Sequence, residues 1–200
     1  MPRIIGITGT IGSGKSTVGK ILTELGIPVV DTDDIVHELM QQDRGLKNTI
    51  VERFGESVLK ADDGSTIDRA RLGRIVFQDE KARRDLESMV HPLVLLEYRR
   101  RAASMTGNAV VAILVPLLFE AGIASEFDEV WTVVADNETL RRRLKDRDRL
   151  SDAEVDSRLS AQLPQAEKAS RADRTIDNSG SLADTRRQLE IHLDIARGSC

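Results

Sequence analysis

Gly9-Thr10-Ile11-Gly12-Ser13-Gly14-Lys15-Ser16 fits G-x-x-x-x-G-K-[ST] without a mismatch. Ahead of it, Arg3 to Thr8 (RIIGIT) is a short isoleucine-rich run that reads as a buried strand. Behind it, Val18, Ile21, Leu22 and Leu25 recur at helical spacing between Lys15 and Leu25, and Gly26 ends the helix. Strand, glycine turn and helix in that order are the context the motif needs. Glycines let the backbone bend tightly and turn successive amides toward one anion. The helix aims its partly positive amino end at the same point. Lys15 is placed to bridge two phosphates, and Ser16 to put a hydroxyl on Mg²⁺. At average residue usage a chance match somewhere in a chain of this length has odds of about 1%. The plain alternative, a glycine turn beside a surface lysine, is correspondingly weak.

Outward from the loop, helices and strands alternate. Ile27 to Asp31 reads as a second strand with Pro28 near its start, and Ile35, Val36, Leu39 and Met40 as a helix behind Thr32, Asp33 and Asp34. From Asp43 to about Thr106 the pattern is helical, punctuated at Asp62-Asp63-Gly64-Ser65, with His91-Pro92 expected to break one helix and open another. Asn108 to Val115 (NAVVAILV) is the most apolar run and reads as a central parallel strand. Glu129 to Ala135 is a fourth strand and Arg174 to Asp177 a fifth. A helix from about Glu138, a charged stretch and a helix capped by Ser151 with Glu154 lie between them. Leu182 to about Ala196 closes the chain as a helix. The expectation is an α/β fold, a P-loop NTPase-type three-layer α/β/α arrangement around a five-stranded parallel sheet. Its core takes 1–42, 107–140 and 172–200, a helical insertion 43–106, and a lid 141–171. Ligands of such a sheet collect at the carboxyl ends of its strands.

Composition narrows the function. Hydrophobic residues make up 40% of the 200 positions, enough for a core. Aromatic residues reach 3% and the formal charge is −4, which argues against stacking platforms and basic footprints for nucleic acid. The one cysteine, Cys200, allows neither a disulfide framework nor a cysteine-clustered zinc site. No signal peptide or apolar stretch of membrane-spanning length is visible, so a soluble cytoplasmic protein, a monomer rather than an oligomer, is expected.

The loop implies a nucleoside triphosphate but not its fate. Asn-Lys-x-Asp, expected of a GTPase, is absent, and the strand VVAILV runs into Pro116-Leu-Leu-Phe-Glu120 rather than Asp-Glu. A small-molecule kinase is what a chain of this size leaves. Asp33 is the expected base for the acceptor hydroxyl, with Asp31 ordering Mg²⁺-bound water, although either could simply serve a helix start. Arg141, Arg142, Arg143, Lys145, Arg147 and Arg149 form the densest charge. A solvated helix face is the ordinary reading of such a run, but its place after the fourth strand suits a lid. Arg143 or Arg147 is expected on the transferring phosphates, with Arg141 and Arg142 in solvent.

Taken together, GxxGSGKST, Val-Asp-x-Asp with His37, Asp68-Arg69-x-x-Leu72, His91-Pro92, PLLFE at 116–120, Arg143-Leu-x-x-Arg147-Asp148, Gln162, Ala172-Asp173 and Asn178-Ser-Gly180 resemble the dephospho-coenzyme A kinase family from about residue 3 to 195. The resemblance implies ATP-dependent phosphorylation of the ribose 3′-hydroxyl of dephospho-CoA, with Mg²⁺. It implies that Gly12, Ser13, Gly14, Lys15, Ser16 and Thr17 hold the ATP phosphates and that Asp33 meets the hydroxyl. Arg143 and Arg147 then belong to the lid, Asn178 lies near adenine, and 43–106 helps to bind the substrate's tail. Thr32 stands where the family usually has Ala, and Leu140 where Gln is expected. Kinases of nucleoside monophosphates or sugar acids, and a non-catalytic ATP switch, are the competing readings.

Overall fold

A computed structural model describes residues 2–61, 64–105, 107 and 109–198. Asp62, Asp63, Thr106, Asn108 and Cys200, which entered the sequence reading, lie outside the described residues. The chain divides into two compact units, one of 1–31 with 102–200 and the other of 32–101.

The first unit is built on β1 (Arg3–Gly9), β2 (Val29–Asp31), β3 (Val110–Leu114), β4 (Glu129–Val134) and β5 (Arg174–Asp177), all parallel, in the order β2-β3-β1-β4-β5. β2 starts two residues later than the sequence suggests. Pro28 has no N–H to give the ladder, although its carbonyl still accepts from Ala112 at 2.9 Å. The pleat sorts the sheet's side chains. Ile5 and Ile7 of β1 join Val110, Ala112, Leu114, Trp131, Val133 and Ile176 on one face, against α1 (Lys15–Glu24) and α9 (Leu182–Gly198). Val18, Ile21 and Leu22 of α1, and Leu189, Leu193 and Ala196 of α9, are the helices' contributions. The alternate residue Gly6 faces Leu118 and Phe127 so closely that a β-carbon there would sit 2.8 Å from both. A side chain at position 6 would therefore wedge the opposite layer away. Each Ile or Leu buried in this core contributes about 1.5–3 kcal/mol.

After β4 come α6 (Asn137–Asp148), α7 (Asp152–Ser160) and α8 (Gln165–Arg171). Asp136 caps α6 by accepting from Thr139 N–H at 2.8 Å, and the Ser151–Glu154 capping box opens α7 as the sequence indicates. The charged stretch is not a separate segment but the body of α6.

The second unit holds α2 (Thr32–Gln42), α3 (Arg44–Phe54), α4 (Arg69–Gln78) and α5 (Glu80–Ser104) around Met40, Leu46, Ile50, Val58, Ile67, Leu72 and Val90. Pro92 does not break a helix here: α5 runs unbroken through it. Pro92 cannot donate to the carbonyl four residues back. However, Leu86, Met89, Val90, Leu93 and Val94 pack onto the unit's core on both sides of it, which offsets the lost bond and holds the helix on course. Packing overrode a local preference.

Candidate active site

The polypeptide leaves β1 at Gly9, at the carboxyl edge of the sheet, with β3 on one side and β4 on the other. That is the switch point where such sheets take their ligands. Gly9 runs at φ +153, and a β-carbon on it would lie 2.4 Å from the Val133 carbonyl, so only glycine fits against β4. Within the loop, Ser13 N–H donates to the Thr10 carbonyl at 3.0 Å, and Lys15 Nζ donates to the Gly9 carbonyl at 2.7 Å. The lysine is thus folded back over the loop it follows.

Gly14 precedes α1 in the left-handed region (φ 96, ψ 31), and no side chain among the described residues caps the helix. The first amides of α1 therefore have no intrahelical acceptor, and they carry the positive end of the helix dipole. Ser16 is exposed at the same helix end, and the hydroxyls of Thr10 and Ser13 are buried without a hydrogen-bond partner among the described residues. An uncapped helix end, orphaned hydroxyls and an ammonium together fit an anion with several oxygens.

Asn178 and Arg143 brace this cradle from behind. Asn178, 1% exposed, donates Nδ2–H to the Ser13 carbonyl at 2.7 Å and accepts from Thr185 Oγ1 at 3.0 Å. A β-carbon on Gly14 would come within 2.0 Å of that Nδ2. The Asn178 side chain thus helps to shape the loop. Arg143 donates to the Ser13 carbonyl at 3.2 Å and the Asn178 carbonyl at 2.9 Å. Its guanidinium is held at the loop itself.

Arg147 pairs with Asp148 at 2.8 Å through a largely exposed side chain. That hydrogen bond holds the Asp148 carboxyl below its ordinary value and raises the arginine's. Arg141, expected in solvent, is half-buried and paired across to Asp152 and Asp156 of α7. Two acids one turn apart on the next helix, Asp152 and Asp156, take up its guanidinium at the surface. Arg142 is exposed as expected. Leu140 is buried with Leu144, so that position of α6 offers packing and no polar contact.

Asp31 ends β2, half-buried. Asp33 is exposed in the first turn of α2, which opens at Thr32 and belongs to the helical unit. His37 of α2 contacts Arg69 and Gln41, a use of the histidine within the helical unit. No group of three His, Cys, Asp or Glu among the described residues is arranged to hold a metal ion.

Sequence reasoning missed Lys168. This residue of α8 is completely buried, with Nζ 2.7 Å from Glu120 and 3.4 Å from the Pro116 carbonyl. A lysine on a short charged helix reads as solvated, and nothing local signals otherwise. Its acid, Glu120, did stand out, at the end of PLLFE.

Comparison with known proteins agrees with this geometry. The family model described as dephospho-CoA kinase matches residues 3–184. A dephospho-CoA kinase of Symbiobacterium thermophilum is 47% identical over 198 residues, covering 98% of this chain and 82% of its own length. A crystal structure from Thermus thermophilus superposes with a TM-score of 0.81 at 37% identity, covering 96% of this chain and 97% of that one. A dephospho-CoA kinase from Campylobacter jejuni gives 0.72 at 28% identity, with all of both chains covered. No helix among the described residues is long and apolar enough to cross a membrane. A P-loop kinase fold, an uncapped helix end behind the glycine loop and relatives matched over 82% or more of their length lead to one assignment: the chain belongs to the dephospho-CoA kinase family, which uses ATP to phosphorylate dephospho-CoA in the final step of coenzyme A synthesis.

Proposed function

We propose that the amides of residues 12–17 and Lys15 grip the β- and γ-phosphates of ATP while Asp33 takes the proton from the ribose 3′-hydroxyl of dephospho-CoA. The amino end of α1 carries this reading: Gly14 opens it in the left-handed region, and no side chain among the described residues caps it. The 3′-oxygen attacks the γ-phosphorus, the bond to the β–γ bridging oxygen breaks, and ADP leaves with that electron pair. Lys15 neutralises charge as it builds on the oxygens around the transferring group. Arg143, anchored on the Ser13 and Asn178 carbonyls, adds a fixed positive charge beside the loop. Arg147 is the more exposed member of the pair, tied among the described residues to its neighbour Asp148. Mg²⁺, when bound, draws charge from the phosphate oxygens; exposed Ser16 would offer it a hydroxyl, and Asp31 would order its water. Residues 43–106 supply the surface for the pantetheine tail. The reading is of a monomer acting in the cytoplasm.

Asp33→Asn tests the assignment of the base. Turnover with dephospho-CoA should fall by about 10²–10⁴-fold, the usual worth of a positioned base, while ATP affinity stays within about twofold. Near-normal turnover in that variant would remove Asp33 from the mechanism.

A further inference from the structure

Residues 162–165, leading into α8, are pinned at three places to the segments that follow β1, β3 and β4. Gln162 Oε1 accepts the Ile11 N–H at 2.9 Å, inside the phosphate loop. Leu163 N–H donates to Glu120 Oε1 at 3.0 Å, and the same oxygen takes Lys168 Nζ at 2.7 Å. Gln165 clasps the backbone of Ala135, past β4, with both halves of its amide at 2.8 Å. The Pro116 carbonyl that receives Lys168 Nζ also accepts from Thr8 Oγ1 at 3.2 Å, at the end of β1.

The grip on Ile11 has a specific consequence. Ile11 N–H and the Thr10 carbonyl belong to one peptide plane, and that carbonyl accepts the Ser13 N–H at 3.0 Å. With Gln162 holding the N–H end and Ser13 the C=O end, the plane cannot rotate. A plane fixed in this way sets the turn from Thr10 to Ser13, and with it the direction of the amides that follow. The buried Lys168 is an expensive way to gain stability, since desolvating an ammonium costs as much as its ion pair returns. It makes sense as a fixed point: Glu120 is held by the lysine, Leu163 by Glu120, and Gln162 is the next residue.

We infer that Gln162 is a positioning residue for ATP: it locks the Thr10–Ile11 peptide so that the phosphate loop is formed before nucleotide arrives, with the Glu120–Lys168 pair as its anchor. The inference rests on the reading of residues 9–17 as the ATP cradle. Gln162 is only half-buried, so its variants should fold.

Gln162→Met keeps the volume and stem of the side chain and removes the acceptor; Gln162→Glu keeps an acceptor oxygen. In Gln162→Met, both Kd and KM for ATP should rise by about tenfold, the factor set by one net hydrogen bond, while KM for dephospho-CoA stays within about twofold. Gln162→Glu should recover most of the ATP affinity, which a merely structural role would not require. ATP affinity in Gln162→Met equal to that of the wild type would overturn the inference. So would equal rises in KM for both substrates, or a loss confined to thermal stability. If the wild type itself fails to bind ATP, or binds it as well after Lys15→Met, the cradle reading falls and this inference with it.

Discussion

Asn178 shows how much of a phosphate loop lies outside its motif. One half of its amide holds the Ser13 carbonyl and the other accepts from Thr185, both in the protein interior. Asn178→Ala would remove two buried hydrogen bonds, at a cost of about 0.5–1.5 kcal/mol each, since the Ser13 carbonyl keeps Arg143 and the Thr185 hydroxyl keeps the Ser181 carbonyl. We expect a lower urea midpoint together with a several-fold higher KM for ATP. An unchanged KM in a destabilised variant would mean that the loop holds its shape without Asn178. Residues of this kind differ in how far sequence reveals them. Gly14 and Lys15 are visible because glycine and lysine at fixed spacing have few other uses. Glu120 and Gln162 stand out only through family resemblance, without a task, and Lys168 does not stand out at all. What the last three do depends on neighbours up to 151 positions away in the chain, and local pattern carries no trace of such pairing.

Among the elements, four of the five strands follow from apolar runs bounded by glycine, proline or charge, while β5 (Arg-Thr-Ile-Asp) has a single apolar residue; the ends of all five shift by at most two residues. α5 is the exception. Its charge pattern shows how it is reinforced: Arg100 and Arg101 lie three and four positions beyond Glu97, and both donate to its carboxylate. Arg101 also pairs with Glu38 of α2, within the same unit. The two guanidiniums hold the Glu97 carboxyl down to about 2, from an ordinary 4.5. A carboxyl lowered on folding stabilises the native state above its unfolded pKa, and that contribution is lost as pH falls through the folded value. The window is therefore about pH 4.5 down to about 2. Glu97→Gln should unfold more easily than wild type in urea at pH 6, and the two midpoints should converge toward pH 2. A constant gap across that range would show that the pairing does not act through ionisation.

At the scale of the molecule, the sheet order is what brings distant sequence together. β1 sits between β3 and β4, so the loop after β1 meets the segments that follow both of them. Alternating strands and helices announce a parallel sheet, yet they do not give the order of its strands. Convergence of Gly9, Pro116, Ala135 and Asn178 at one edge was accordingly legible as a tendency, and the specific bonds among them were not. The division into units adds a second point. Asp33 belongs to the helical unit, whereas Lys15, Arg143 and Asn178 belong to the sheet. The most direct measurement is phosphorus NMR of the chain incubated with ATP, Mg²⁺ and dephospho-CoA. A new phosphomonoester resonance coupled to the ribose H3′, growing in step with ADP, is the result expected. ADP accumulating without that ester, or the phosphate arriving on a nucleoside monophosphate in preference, would contradict the account.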